Sequence, residues 1–382
     1  MAGKIPRLAG NARLLAAAFA AVLGAAILSG SVAAQALPGD ALLIEHWDGK
    51  KWTVTPAPVP PAGGSELSAV TAISPTDIWA VGSLVETTGT TPTWHPLAEH
   101  YDGVSWSPVV LPTPKETEQS GLVAVSGSSA TDVWAVGSVG DRSLVEHYDG
   151  TSWKVVPSLR TAGSELAGVA AVSPSDVWAV GATVTKTGKT RTLIERWDGS
   201  AWRSVPSPNP SGPKDELSAI SAWSARNIYA VGDYRFRGHT RALTLHWNGT
   251  RWRNRWSPSA AARQSALRGL TVTGRSDAWA VGSSRGAGGE RSLTEYWHIC
   301  SWHYSEVPGA NDFLDLYAVS ALSADDVWAV GSSGDAPQTL AEHWDGAWTV
   351  KKTPNPQIPG VLRGVAAVAD DDVWAVGSSN AP

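Results

Sequence analysis

Asp77-Ile78-Trp79-Ala80-Val81-Gly82 is a phrase that returns along the whole chain. Its first position recurs, at intervals of 44 to 55 residues, at Asp132, Asp176, Asn227, Asp277, Asp326 and Asp372. A period close to 50 residues is typical of a propeller or a solenoid. A second phrase, Glu45-His46-Trp47-Asp48-Gly49-x-x-Trp52, alternates with the first and also occurs in seven copies.

Each repeat reads as four short strands, which we name A to D. In the first complete repeat they are predicted at 67–73, 78–82, 97–101 and 106–112. Ser74-Pro75 between A and B suits a type I turn, and Asp102-Gly103 between C and D is a tight hairpin signal. Four antiparallel strands repeated seven times predict an all-β, seven-bladed propeller of four-stranded antiparallel blades.

The two ends of the repeat array favour a closed ring over a solenoid. The array opens on a C–D half at 42–55 and closes on an A–B half at 362–379, so the N-terminal strands are predicted to complete the last blade. A solenoid would need polar caps, which neither end shows. The blades of one domain, 37–382, are predicted at 66–112, 121–157, 165–206, 216–257, 266–307, 315–353, and 361–380 with 41–56.

The composition agrees with burial in a repeated fold. Of the 382 residues 21 are Trp, against 3 Phe and a single Cys, and 18 of the Trp occupy the two repeated phrases. Such aromatic density excludes a disordered chain, and one Cys excludes an internal disulfide framework. Large flat side chains are expected to fill the space between neighbouring blades.

The first 36 residues have the three parts of a secretory signal peptide. Lys4, Arg7 and Arg13 precede the apolar run 14–28, and Ala34-Gln35-Ala36 fits the small-residue cleavage pattern. We therefore expect a secreted, extracellular or cell-envelope protein with no membrane span after cleavage. A retained N-terminal anchor is the alternative, although 15 apolar residues are few for a membrane span.

The repeat resembles the kelch repeat. The resemblance is carried by Asn227-Ile228-Tyr229-Ala230-Val231-Gly232 and by Tyr148-Asp149-Gly150-Thr151-Ser152-Trp153, and it covers nearly all of 41–380. It departs at the kelch Gly-Gly doublet, which here is Gly82-Ser83 or Gly181-Ala182. The D-V-W-A-V-G phrase looks more like a group of exported bacterial propellers. The resemblance implies a seven-bladed propeller and does not name a ligand.

The repeated polar residues are interpreted as structural. Strand C carries Glu in six of its seven copies, with Leu245 as the exception, and His follows in five. Six copies around a ring cannot form one site, so we expect each to be a satisfied polar position within its blade. The Asp that begins strand B is expected to cap its turn. The Asp370-Asp371-Asp372 run and the His298-Ile299-Cys300 hairpin are not expected to bind metal.

Function is expected where the repeat fails. We call the end of the ring that carries the D–A and B–C connections the loop face, and the opposite end, with its A–B and C–D turns, the turn face. The blade 4 loop has alternating basic and aromatic residues: Tyr234, Arg235, Phe236, Arg237 and His239. Such a loop suits contacts to an anionic ligand, or it is an ordinary strand extension. The segment 221–291 holds 12 Arg and 3 acids, within a chain of net charge −5.

A second candidate site follows the conserved Leu of strand A. This slot holds Arg268, Tyr317 and Arg363 in blades 5 to 7, but Ser68, Val123, Ala167 and Ser218 in blades 1 to 4. With Asp315 nearby, two guanidinium groups and a phenol could bind a carboxylate or phosphate at the channel mouth. Ion pairs between blades are the alternative. Trp94 and Trp256, which lie outside the repeated slots on this face, are candidates for ligand contact.

These features predict a binding or scaffold protein that uses its loop face. No catalytic motif appears, and no cofactor is expected. The expected partner is an anionic glycan or an acidic protein, nucleic acid is not expected, and the chain is expected to be a monomer. A glycosidase or lyase acting on acidic glycans is the first alternative, because propellers host enzymes as well as binders. A structural cell-envelope protein is the second.

Overall fold

The computed structural model describes residues 40–58, 63–88, 91–112, 119–159, 161–210, 212–261, 264–286, 289–305, 307 and 314–380. The predicted signal peptide, 1–36, lies outside these residues. The described residues form 28 strands and one 3-10 turn, Pro258–Ala261. No helix among them is long and apolar enough to cross a membrane.

The strands fall into seven four-stranded antiparallel sheets. Blades 1 to 3 consist of β3 to β14: Ser65–Ser74, Asp77–Thr88, Thr91–Tyr101, Trp106–Pro108; Ser120–Ser129, Asp132–Val139, Arg142–Tyr148, Trp153–Val155; Ser164–Ser173, Asp176–Val184, Thr190–Trp197, Trp202–Ser204. Blades 4 to 6 consist of β15 to β26: Asp215–Ser224, Asn227–Phe236, His239–Trp247, Trp252–Arg255; Gln264–Val272, Asp277–Gly286, Gly289–His298, Ser301–Ser305; Leu314–Ser323, Asp326–Ser333, Gln338–Trp344, Trp348–Lys351.

Blade 7 joins the two ends of the chain, as the half-repeats predict. It combines β27 (Gly360–Ala369) and β28 (Asp372–Asn380) with β1 (Asp40–Trp47) and β2 (Trp52–Val54). β1 pairs with β28 over its whole length, from Asp40 opposite Asn380 to Trp47 opposite Val373. The ring is therefore a closed seven-bladed propeller, and no sheet edge is left open at the junction.

The A strands form the innermost ring, where each contacts the A strands of the blades before and after it. Space is short there, as the small residues of this strand predicted. A Cβ at Gly269 would lie 2.9 Å from the Cα of Ala318, and one at Gly364 would lie 2.9 Å from the Cα of Ala69. Only small residues allow neighbouring strands to approach so closely.

The hydrophobic core is divided among the interfaces between blades, where the repeated tryptophans pack. At one interface the strand B Trp79 meets Tyr148 and Trp153 of the next blade, with ring centroids 4.8 and 5.4 Å apart. Trp134 meets Trp197 and Trp202 in the same way, at 5.3 and 5.6 Å. Edge and tilted contacts of this kind add to the free energy of burial. The excess of Trp thus serves blade packing, as predicted.

Candidate functional site

A β-bulge in each A strand determines where the channel-side residues lie. In all seven blades the pairing with strand B skips one residue after the conserved Leu, and that residue is the predicted slot. An extra residue in one strand re-aims its side chain. The bulged residues are Ser68, Val123, Ala167, Ser218, Arg268, Tyr317 and Arg363.

Three of these bulged side chains contact one another. The guanidinium carbons of Arg268 and Arg363 lie 5.5 and 5.6 Å from the ring centroid of Tyr317, which separates them. Cations at this distance are attracted by an aromatic face. We call Arg268, Tyr317 and Arg363 the Arg–Tyr–Arg cluster. The structure thus brings together the residues that the sequence grouped.

Each arginine of the cluster also pairs with a carboxylate of the next blade. Arg268 Nη1 donates to Asp315 Oδ1 at 3.0 Å, and Arg363 Nε lies 3.4 Å from Glu66 Oε2. The side chains of Arg268 and Arg363 are 18% and 25% exposed, whereas that of Glu66 is 1% exposed. The cluster therefore contains ion pairs between blades, which were the alternative to ligand binding. Its role in ligand binding stays a prediction.

Burial dominates the electrostatics of this cluster. It raises the pKa of the Asp315 and Glu66 carboxyls, and the neighbouring guanidinium groups oppose the effect. The pKa of Tyr317 is raised as well, by burial and by the Asp315 charge, so its hydroxyl stays protonated. In blade 4, burial and the neighbouring Glu216 raise the pKa of Asp233 well above its usual range. Lys214 Nζ lies 2.7 Å from Glu216 Oε1.

The blade 4 loop is an extension of strands B and C, which was the alternative for this segment. Pairing continues from Asp233 opposite Ala242 to Phe236 opposite His239, and Arg237-Gly238 closes the hairpin with φ values of 51° and 81°. Tyr234 is half-buried and packs on the core. Arg235, Phe236, Arg237 and His239 are exposed, and the Arg237 guanidinium lies 5.1 Å from the Phe236 ring.

The blade 3 hairpin adds two exposed lysines, Lys186 and Lys189, that sequence reasoning missed. The intervening D–A segment joins the two hairpins, because Thr190 N donates to Pro213 O at 3.0 Å and Arg235 N donates to Lys214 O at 2.7 Å. Among the described residues, no carboxylate is within ion-pair distance of any of the four cations. We call Lys186, Lys189, Arg235, Phe236 and Arg237 the basic hairpin surface.

The two candidate tryptophans differ in exposure. Trp94 is half-buried in β5, where it pairs with Val85, and its carbonyl accepts a hydrogen bond from Ser120 Oγ at 3.5 Å. Trp256 follows β18 and is 70% exposed. Trp256 is therefore available for contact, whereas Trp94 belongs to a strand rather than to the loop that the sequence suggested.

The repeated His of strand C binds the Asp that begins strand B. His147 Nε2 lies 2.8 Å from Asp132 Oδ1, and Trp134 Nε1 donates to the same oxygen at 2.9 Å. The expectation that this Asp caps its turn was wrong. The C–D turn Asp does so instead: Asp102 accepts from the backbone N–H groups of Val104 and Ser105.

The strand C glutamates are fully buried, and the expectation that all are satisfied was wrong. Both carboxyl oxygens of Glu99 and Glu146 lack a hydrogen-bond partner among the described residues. Burial raises the pKa of Glu146 to about 8 and that of Glu99 to about 7. Burial therefore favours the neutral form of these carboxyls, because a buried charge without a partner is very costly. In the described part of the chain, no cluster of three or more His, Cys, Asp or Glu could hold a metal ion.

Comparisons with known proteins agree on the fold. Neither a protein-family model nor a curated protein matches the sequence. A solved structure of YCF48 bound to a D1 peptide is similar over 83% of this chain and 91% of that chain, at 14% identity and a TM-score of 0.53. The WD40 β-propeller domain of Doa1 is similar over 82% and 93%, at 12% identity and a TM-score of 0.52. Such a likeness shows the propeller fold alone, so the kelch resemblance stays a prediction.

Proposed function

We propose that this chain is an exported binding protein whose loop face takes an acidic segment of a partner protein. The observation that carries the proposal is the basic hairpin surface. Four exposed cations there have no carboxylate partner in the described part of the chain, and Phe236, 37% exposed, lies among them. Unpaired cations beside an exposed aromatic ring suit an acidic chain that also presents apolar side chains.

A protein partner is favoured over a glycan by the comparison with a propeller that was solved with a peptide. Paired strands also hold the hairpins, so the surface is formed before a ligand arrives. A preformed surface avoids the entropic cost of ordering a loop. The signal-like residues 1–36 support export to the cell envelope or beyond.

The Arg–Tyr–Arg cluster is the second contact in this proposal. Asp315 and Glu66 hold the two guanidinium groups on the Tyr317 ring. A ligand carboxylate at the channel mouth could share their remaining N–H groups, since guanidinium has five donors. Trp256 offers a further aromatic contact. The protonated phenol and the carboxylate beside each arginine suit binding by this cluster better than catalysis.

Fluorescence anisotropy with an acidic probe tests the proposal. The probe is a labelled peptide of alternating Glu and Phe, and unlabelled polygalacturonate serves as the glycan competitor. We expect binding that weakens with salt, and a loss of about tenfold or more in the Arg235→Glu/Arg237→Glu variant. The control is Arg226→Glu/Arg275→Glu on the opposite face, which should bind as the wild type does.

Equal affinity of the wild type and the Arg235→Glu/Arg237→Glu variant would overturn the basic hairpin surface as the site. Polygalacturonate that binds more tightly than the peptide would favour the glycan alternative. No binding of either probe at low salt would favour the structural cell-envelope alternative.

A further inference from the structure

The turns of the turn face are more uniform in length than the connections of the loop face. Six of the seven A–B turns leave only two residues between the strands, and five of the seven C–D turns leave four. On the loop face, by contrast, β4 and β5 extend to 12 and 11 residues, and the paired strands of blades 4 and 5 are also long. Turns of nearly equal length end at a common level. The turn face can therefore meet another flat surface without obstruction.

Blades 4 and 5 make one sector of the turn face basic and partly apolar. Arg226, Arg251 and Arg275 are exposed, as are Trp223 and Ile299, whose exposed fractions are 55% and 69%. In the other blades the Trp223 position holds Ile73, Ser128, Val172, Thr273, Leu322 or Val368. The described part of the chain offers no ion-pair partner to the three arginines.

Direct contacts join this sector into a continuous surface. Asn227 Nδ2 donates to the carbonyl of Arg275 at 3.0 Å, which ties blade 4 to blade 5. Ile299 N donates to Ser276 O, also at 3.0 Å, which ties the two turns of blade 5 together. In blade 4, Arg226 lies so close to the C–D turn that a Cβ at Gly249 would be 2.9 Å from its Cγ.

Blades 6 and 7 make the adjacent sector acidic. Its exposed carboxylates are Asp48, Asp325, Asp345, Asp370 and Asp371, and its exposed cations are Lys50 and Lys51. Backbone N–H groups of Lys50 and Lys51 hold the pKa of Asp48 below its usual value, so it is charged. Five acids and two lysines leave a net charge of −3, against +3 for the three arginines of the basic sector.

We propose that two copies of this chain associate through their turn faces, about a two-fold axis that passes between blades 5 and 6. Turning one copy over about this axis places blade 5 on blade 6 of the second copy, and blade 4 on its blade 7. The basic sector of each copy then lies on the acidic sector of the other, twice. A two-fold interface must be self-complementary in this way.

The remaining blades do not oppose this arrangement. The same axis places blade 3 on blade 1 and blade 2 on itself. On the turn face of blade 3, Asp198 pairs with Arg203 and Asp176 with Arg196, both at 2.7 Å, and in blade 2 Asp149 pairs with Lys154. The carboxylates named in blades 2 and 3 are therefore each paired with a cation of their own blade. Trp223 and Ile299 lose their exposure to water, which supplies the apolar part of the interface. The sequence led us to expect a monomer, and this proposal replaces that expectation.

Sedimentation velocity of the full chain, at micromolar concentrations in low and high salt, tests the proposal. We expect a dimer at low ionic strength that dissociates in 0.5 M NaCl, since charge complementarity is screened by salt. Arg226→Glu/Arg275→Glu and Asp325→Lys/Asp370→Lys are each expected to be monomeric. A 1:1 mixture of these two variants should form a heterodimer, because both sector contacts then join opposite charges.

The control is Arg235→Glu/Arg237→Glu on the loop face, which should dimerise as the wild type does. Circular dichroism shows whether each variant is folded, and recovery in the mixture shows that folding was not the cause of a monomer. A wild type that stays monomeric at low salt overturns the proposal. So does a dimer that both turn-face variants retain, or a mixture of the two that fails to associate.

Discussion

At the scale of single residues, the strand C glutamates show how burial alone changes a side chain. Glu146 is fully buried with neither carboxyl oxygen paired among the described residues, and its pKa is raised to about 8. The folded state therefore keeps a proton that the unfolded chain releases near pH 4.5. A proton held more tightly by the folded state stabilises it at low pH.

This proton makes stability fall as pH rises. Below about pH 4.5 the Glu146 carboxyl is neutral in both states, and between about 4.5 and 8 only the folded state holds the proton. The wild type should lose at most roughly 1.4 kcal/mol per pH unit from this one group. Urea unfolding from pH 5 to 8.5 measures the slope. Glu146→Gln, which stays neutral, should reduce the slope and be more stable than the wild type at pH 8.

The matched control for this experiment is Asp335→Asn, because Asp335 is an exposed carboxylate of blade 6. Its slope should equal that of the wild type. An unchanged slope in Glu146→Gln would show that Glu146 is ionised in the folded protein. Leu245 occupies the same position in blade 4 without disturbing the sheet, so the fold itself does not require a carboxyl there.

At the scale of elements, the A-strand bulge explains the Gly that ends every D-V-W-A-V-G phrase. The bulge pushes a strand A carbonyl against the Cα of that Gly. A Cβ at Gly137 would lie 2.0 Å from Gly121 O and 2.9 Å from the Cα of Leu122. All seven copies show such a contact with strand A: Gly82, Gly137, Gly181, Gly232, Gly282, Gly331 and Gly377.

Gly137→Ala should therefore separate strands A and B of blade 2 at the bulge. We expect a loss of about 3 kcal/mol or more in the free energy of unfolding, because backbone atoms cannot move aside as a flexible side chain can. Gly286→Ala is the control, since a Cβ there meets nothing within 4 Å. Its stability should change little or improve. Chemical denaturation of both variants measures the difference, and equal stability would refute the steric argument.

Part of the candidate site at the bulge could be predicted from the sequence. The slot of Arg268, Tyr317 and Arg363 was evident because it follows a conserved Leu, and the contact between these side chains follows from ring order. Ion pairs between blades were the alternative to ligand binding, and the structure contains them with Asp315 and Glu66. Lys186 and Lys189 were missed because blade 3 and blade 4 hairpins become neighbours only in the ring.

At the scale of the whole molecule, period and half-repeats were enough to predict the fold. The array of seven copies opens at strand C and closes at strand B. It therefore forms a closed ring only if its two ends share one blade. The charge pattern of the turn face, in contrast, could not be predicted from the sequence. Its acids come from both ends of the chain, as Asp48 and Asp371 show, and Gly49 would meet the Cβ of Asp371 at 2.8 Å if it had a Cβ.

Closure by the N-terminal strands should dominate the stability of the ring. β1 buries Leu43 and Ile44, and β2 buries Trp52, all against neighbouring blades. Removing the chain before Ala57 exposes these interfaces and leaves β28 as an open edge. Each fully buried side chain contributes about 1.5 to 3 kcal/mol, so we expect a loss of roughly 5 kcal/mol, with aggregation through β28.

A synthetic peptide of residues 40–56 tests the cause of this loss. Added to the truncated chain, it should pair with β28 in the register of Asp40 with Asn380 and restore the melting temperature. A peptide of the same composition in scrambled order is the control, and it should have no effect because the alternation of buried and exposed positions is lost. Calorimetry measures the recovery. A truncated chain that melts as the full chain does, without the peptide, would show that the ring is stable without β1 and β2.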